Sequence, residues 1–349
     1  MSLAFKPFPA FLSLVFVTSI VGSHESHAQS LPTGQSEWQS SHFRQHELVG
    51  KIWSTKAQKF VEWQWLRQEV KSARFLLLGE IHNNSDHHLL QAQLLGEMKP
   101  SSGQALRLVV EMIPPSLDQV YNSFQQTEVD PRKSLAKLGL MLKWKQRGWG
   151  EWEKYSPIFN VAVGTNAKVF TGNIDRKDVK RIGFKGLSAT SQSEKTKWSL
   201  HLAYTAGQQS RLAEILYQSH CKFVPKTALA PMALVQQVRD GVMARSMLGE
   251  DLRKSKRAVS VLIAGSGHVR NDLAVPRILR AKAPTAKIIT VSFTEVTPDH
   301  KKPQQYEPQS ADNAPVFDYL FFTPKFEIKD HCAGLAKRFG KHKVKQPTK

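Results

Sequence analysis

Four apolar runs in this 349-residue chain each end in side chains able to carry charge or move a proton. The run at 75–79 leads into Glu80 and His82, and the run at 107–110 leads into Glu111. The run at 168–172 leads into Asn173 and Asp175, and the run ending at Gly265-Ser266-Gly267 leads into His268. Carboxylates and imidazoles in one place can exchange protons with a ligand, or together hold a divalent metal ion. A glutamate that closes an apolar strand, as Glu111 does, is costly to bury unless it is paired, and His82 and His268 are its expected partners. Gly265 and Gly267 let the chain turn tightly and present either His268 or backbone N–H groups. A dinucleotide-binding fingerprint is excluded, because Asn271 stands where the third glycine would be. A serine nucleophile elbow is excluded as well, because Ala264 and His268 flank Ser266 at its glycine positions.

Further polar residues surround these. Asn83, Asn84, Asp86, His87 and His88 follow the first run. Asp86 is the expected helix N-cap, which places His87 and His88 in a first turn where the dipole disfavours their charged forms. Arg176 can anchor a carboxylate beside Asp175, which can otherwise serve as a helix cap. Gln237 and Asp240 share one face of a later helix, and this face either borders the cleft or is solvated.

To bring residues so far apart in sequence together, the runs must be neighbouring parallel strands, because ligands bind beyond the carboxyl ends of such strands. Strands are expected at 50–53, 75–78, 108–110, 168–171, 259–264, 287–293 and 319–322. Helical spacing of Phe60, Trp63 and Leu66 predicts a helix over 60–70, and further helices are expected at 86–98, 199–217, 231–247 and 276–283. Apolar rather than alternating strands, interleaved with helices, indicate an α/β fold with a mostly parallel sheet covered on both faces. Two long inserts, at about 131–162 and 183–248 by this reading, form a helical cap subdomain over the carboxyl ends of the strands.

The bulk properties suit a single domain of about 29–324. Hydrophobic residues make up 41% and charged residues 22%, enough for a core without staples. Cys221 and Cys332 can pair in an oxidising compartment, with two free thiols as the equal alternative. The N-terminus has Lys6, an apolar stretch from Ala10 to Gly22 and a small-x-small site at Ser26-His27-Ala28. These features predict a signal peptide over 1–28, cleaved near Ala28, and a periplasmic or secreted protein; an uncleaved anchor is the alternative. The net charge of +20 favours anionic ligands and anionic membrane surfaces. No finger, RNP-like or helix-turn-helix pattern supports a nucleic-acid partner. The basic tail over 325–349 is expected to be partly disordered, from about Lys341 onward.

The ordered set of motifs resembles the ChaN-like haem-binding uptake family, within the wider superfamily of Tiki, TraB and erythromycin esterase proteins. The matching pieces are LLLGEIHNNSDHH at 76–88, VVEM at 109–112, WEKYSPIF at 152–159, GNID at 172–175, ALVQQVRDGVMA at 233–244 and AGSGHVRNDLAVP at 264–276. The resemblance implies a haem-binding protein of iron acquisition, with a tyrosinate on iron and face-to-face haems in a homodimer. Family proteins are commonly lipoproteins, and here no cysteine stands near the expected cleavage site. Haem iron accepts Tyr, His, Cys or Met. Tyr204, one helical turn after His201 on the expected 199–217 helix, is the first candidate, with Tyr155 and Tyr217 behind it. Trp144, Trp149 and Trp152 can line a porphyrin face or form the subdomain's core, Lys143, Lys145 and Arg147 can pair with its propionates, and Asn173, Asp175 and Arg176 are further candidates for holding it. The alternative is a Tiki-like metal-dependent hydrolase, protease or esterase, in which Glu80, His82, Glu111 and His268 hold a divalent metal or act on substrate directly. Gly265-x-x-His268 fits the histidine spacing that this alternative implies.

Overall fold

The structure, a computed structural model, describes residues 37–98, 106–249 and 259–340. The expected signal peptide, its cleavage site and the chain beyond residue 340 lie outside the described residues. Eight strands form one sheet: β1 (Ile52–Ser54), β2 (Lys59–Val61), β3 (Phe75–Glu80), β4 (Leu106–Val110), β5 (Lys168–Thr171), β6 (Val259–Gly265), β7 (Ile288–Glu295) and β8 (Tyr319–Thr323). Their spatial order is β2-β1-β8-β7-β3-β6-β4-β5. From β8 to β5 every neighbouring pair is parallel, and the hairpin β1–β2 adds an antiparallel edge.

The expected strands are therefore all present, within a residue or two of their ends. β2 was not expected. Phe60 pairs with Trp53 in the hairpin, and the helix α1 (Trp63–Lys71) begins only after it. Three residues at helical spacing span a strand and a helix here, so periodicity across a turn misleads.

The central strands bury both faces, as their apolar composition requires. Leu76, Leu78, Leu108, Val110, Val261 and Ile263 face one core, while Phe75, Leu77, Val109, Leu262 and Ala264 face the other. The first core is covered by α2 (Ser85–Glu97) together with α3 (Val120–Thr127), α4 (Leu135–Met141) and α5 (Trp152–Gly164). Ile158, Phe159 and Ala162 of α5 join that core directly, so the first insert is largely a layer on the sheet face.

The second insert contains α6 (Arg176–Lys185), α7 (Gln192–Lys197), α8 (Ala206–Ser219) and α9 (Lys226–Leu248). The last turns of α9 place Met243, Ala244 and Met247 in the second core. Its earlier turns pack Val238 and Val242 against Ile182 of α6 in a smaller cluster of their own. The expected helix over 199–217 starts late, because Thr205 and Gln208 form a capping box that begins α8 at Ala206. After β6 come α10 (Val275–Lys282) and, past β8, α11 (His331–Gly340). Cys221 and Cys332 form a disulfide that ties the end of α8 to α11. No described helix is long and apolar enough to cross a membrane.

Gly79 is set by space. A Cβ there would lie 2.4 Å from Val269 Cγ2 and 2.9 Å from the Ser266 backbone. Gly79→Ala is accordingly expected to lower stability by about 1–3 kcal/mol through overpacking, measured as a reduced urea midpoint.

Candidate functional site

The strand ends converge as the apolar runs require. Glu111 follows β4 and is 4% exposed. Its backbone amide donates to the Ile263 carbonyl of β6, and its carbonyl accepts from the Asn173 side chain at 2.9 Å. The carboxylate accepts from the Gly265 amide at 2.8 Å, and it lies 3.5 Å from His268 Nε2 and 3.8 Å from His82 Nε2. Gly265 is needed for closeness rather than for a tight turn, since its φ is −57° and a Cβ would sit 3.1 Å from His82 Nε2.

His268 is held between two carboxylates. Its Nδ1 donates to Asp240 Oδ1 of α9 at 2.6 Å, and the Gln236 side-chain amide lies 3.2 Å from both ring nitrogens. Burial opposes protonation of this imidazole, yet the charges of Glu111 and Asp240 outweigh it and push His268 up to about 10. Burial likewise works against ionisation of Glu111, but His268 and His82 hold it down at about 2. Asp240 is shifted upward by its own burial.

A second carboxylate–imidazole pair lies at the end of β3. Glu80 Oε1 accepts from His82 Nδ1 at 2.8 Å and from the Tyr155 hydroxyl at 2.7 Å. Tyr155 also donates to the His82 carbonyl at 3.0 Å, and its ring lies 3.8 Å from that of His88. His88 Nε2 is 3.3 Å from Glu80 Oε2 but off the line of a hydrogen bond. Burial and the neighbouring carboxylates hold Tyr155 strongly in its protonated form. Unlike the rest, His82 is 43% exposed and meets Trp149 edge to face at 5.3 Å. Despite partial desolvation, its bond to Glu80 and the charge of Glu111 raise it to about 9. At neutral pH it is therefore a cation and a proton donor.

The other expected residues are distributed differently. Asn84, not Asp86, caps α2; the Asp86 carboxylate accepts the amides of Gln39 and Ser40 instead. His87 accepts from the Ile81 amide and bonds Thr323, and burial lowers it to about 3, so it is a neutral structural residue. Asn173 positions Glu111 through its carbonyl. Asp175 accepts from Ser116 at 2.6 Å, and Arg176 opens α6 as an exposed residue. Trp152 packs on Trp144 and Phe159 in the aromatic core of α4 and α5.

His201 and Tyr204 are not one helical turn apart, since both precede α8. His201 is exposed beside Lys282 at 3.1 Å. The Tyr204 hydroxyl donates to the Leu273 carbonyl, and Arg277 lies over its ring at 4.4 Å. Burial and the nearby Asp240 charge hold this phenol protonated. Among the described residues, no three or more His, Cys, Asp or Glu side chains are arranged to hold a metal ion. The carboxylates of the expected ligand set face imidazoles and an amide as hydrogen-bond pairs rather than a common point.

Asp240 was visible in sequence as a polar position on a helix face, and Gln236 only as part of the family-like stretch at 233–244. The same helix walls a second feature, a groove of about 360 Å³ between α6, α8 and α9, lined by Val179, Leu216, His220, Met232, Val235 and Arg239. Gln236 also lines this groove, so one side chain separates it from His268.

Residues 66–279 match the family described as haem-binding uptake, Tiki superfamily, ChaN. The chain belongs to that family. The solved structure titled as cofacial heme binding to ChaN of Campylobacter jejuni is 21% identical, with a TM-score of 0.59 over 77% of this chain and 95% of that one. At this identity the likeness shows a common ChaN fold. A mutant of the erythromycin esterase EreC in its open conformation is 12% identical, with a TM-score of 0.38 over 72% of this chain and 81% of that one. A search of curated proteins gave no match.

The pH response of this ChaN-family chain follows from the ion pairs. His268 is raised in the folded state, so its stabilisation is complete below about 6.5 and is lost as pH rises through about 10. Glu111 is depressed, so its contribution is present above about 4.5 and is lost as pH falls through about 2. Urea midpoints measured across pH should decline from 6.5 toward 10. His268→Ala should cost about 3–5 kcal/mol at neutral pH, by leaving Glu111 and Asp240 buried without their cation.

Proposed function

We propose that the protein binds haem and serves haem and iron uptake in the periplasm or outside the cell. The observation that carries this reading is the family match, which spans both the strand-end cluster and the groove helices. Haem requires an axial donor, apolar walls for the porphyrin and cations for its propionates. The groove offers His220 and Met232 as donors, Val179, Leu216 and Val235 as walls, and Arg239 as a cation. These residues would hold the group, which would supply an iron centre when bound. The two tyrosines fit less well, because Tyr155 and Tyr204 both donate their hydroxyls inside the protein and resist ionisation.

In this reading α6 to α9 act as the cap beside the carboxyl ends of the strands. The Cys221–Cys332 disulfide supports an oxidising location, as an exported protein would meet. The net charge of +20 suits an anionic ligand and an anionic membrane surface, and a homodimer with face-to-face haems belongs to the same reading.

A hydrolase reading draws on one observation, the exposed His82 oriented by buried Glu80 at 2.8 Å. A general base must be neutral, and His82 becomes so only as pH passes about 9. At neutral pH the raised pKa leaves His82 protonated, which disfavours it as a general base.

Haemin titrated into the protein should give a saturable change in Soret absorbance at micromolar concentrations or below; a purely linear increase would refute the haem reading. In the same preparation, ester hydrolysis that rises through about pH 9 and vanishes in His82→Ala would favour the hydrolase instead.

A further inference from the structure

We propose that the end of the helical layer where α6, the turn between α8 and α9, and α11 come together is a docking surface for an anionic phospholipid bilayer. The inference rests on the functional reading above only for the anionic membrane surface named there, and it adds the place and the residues.

Single exposed apolar side chains are ordinary, but those at this end of the molecule are large and set among cations. Phe184 of α6 is 88% exposed, and Leu187 in the turn that follows is 51% exposed. On a helix, residues four apart stack into rows along the surface. In α6, Val179 and Gly183 form one such row and wall the groove. The row beside it is Arg176, Lys180 and Phe184, all exposed to solvent, with Lys177 exposed next to them. The one acidic residue of this helix, Asp178, is paired with Arg181 at 3.0 Å and so leaves the row basic. An aromatic ring among lysines suits the boundary of a bilayer, where the ring enters the acyl edge and the ammonium groups meet the phosphates.

The other side of the groove has the same character. His220 and Ala228 line it, and the stretch between them carries Lys222, Phe223 and Lys226, all exposed. The Cys221–Cys332 disulfide fastens α11 to this stretch, and His331 Nε2 lies 3.3 Å from the Ser219 carbonyl. Ile328, just before α11, is exposed as well. From α11 the sequence runs on through Lys337, Arg338, Lys341, Lys343, Lys345 and Lys349, and no acidic residue follows Asp330. The most basic part of the chain is thus tethered at the end that also exposes Phe184 and Phe223. Charge alone would suit any polyanion; exposed aromatic rings beside the charge select a partner with an apolar layer beneath its anionic groups.

The test is sedimentation with vesicles of phosphatidylcholine, alone or mixed with phosphatidylglycerol, using the protein freed of residues 1–28, which precede every described element. Wild type should sediment with the mixed vesicles and not with phosphatidylcholine alone, and rising salt should release it. Each lysine near such a surface strengthens binding roughly fivefold, so Lys180→Glu with Lys222→Glu should weaken it by about tenfold or more. Phe184→Ser should weaken it by about fivefold with unchanged circular dichroism, since the side chain it replaces is exposed. Equal sedimentation with both kinds of vesicle, no sedimentation, or wild-type binding by both variants would overturn the assignment. So would a dimer that forms without vesicles and is lost in Phe184→Ser, which would make this face an interface between two copies of the chain. Haemin titration of the same wild-type preparation reads the haem reading separately: failure of vesicle binding leaves a saturable Soret change standing, and a linear Soret response leaves vesicle binding standing.

Discussion

The placement of Glu111 is the constraint on which the crevice depends. A carboxylate buried at the end of an apolar strand is tolerable only if the surroundings replace the water it has lost. The Gly265 amide and the rings of His268 and His82 do so, from strand ends on β6 and β3. Asn173 fixes the backbone of the same residue from β5. One residue, through its side chain and its backbone, thereby joins the ends of four neighbouring strands, and the glycine at 265 gives the close approach it needs. Asp240 completes the arrangement by balancing the His268 cation from α9.

That last contact ties the sheet to the helices beside it. Asp240 and Gln236 lie one turn apart on α9, facing His268, while Val235 and Arg239 face the groove. The helix is therefore a common wall between a charged, closed cluster and an apolar, open cavity. The two have different chemical characters. The cluster satisfies most of its charges internally and has the features of a positioned acid–base system. The groove is lined mostly by apolar side chains, alongside His220 and Arg239.

Much of this was legible in the sequence. Strands covered on both faces read as unbroken apolar runs, so β3, β4, β6 and β7 were plain, and the strand-end rule brought Glu80, His82, Glu111 and His268 together without coordinates. The local misreadings have local causes. Phe60 imitated a helical position across the turn between β2 and α1. Tyr204 was placed on a helix whose start is set one residue later by Thr205, although Thr205-x-x-Gln208 is itself a readable capping box. Asn84 provides the cap expected of Asp86, two residues before it, because its side chain reaches the first free amides of α2. His220 and Met232 were not legible at all, and Arg239 was legible only as part of the stretch at 233–244. Nothing in their spacing marks them, and they acquire meaning only when α6, α8 and α9 meet.

The central claim is that the strand-end cluster is ionised, with His268 a buried cation between Glu111 and Asp240. Nitrogen-15 NMR of the histidine rings reads this directly. At pH 8 the account predicts that both His268 ring nitrogens carry protons, while His87 in the same spectrum shows a single neutral tautomer. A His268 ring with one unprotonated nitrogen at pH 8 would contradict it.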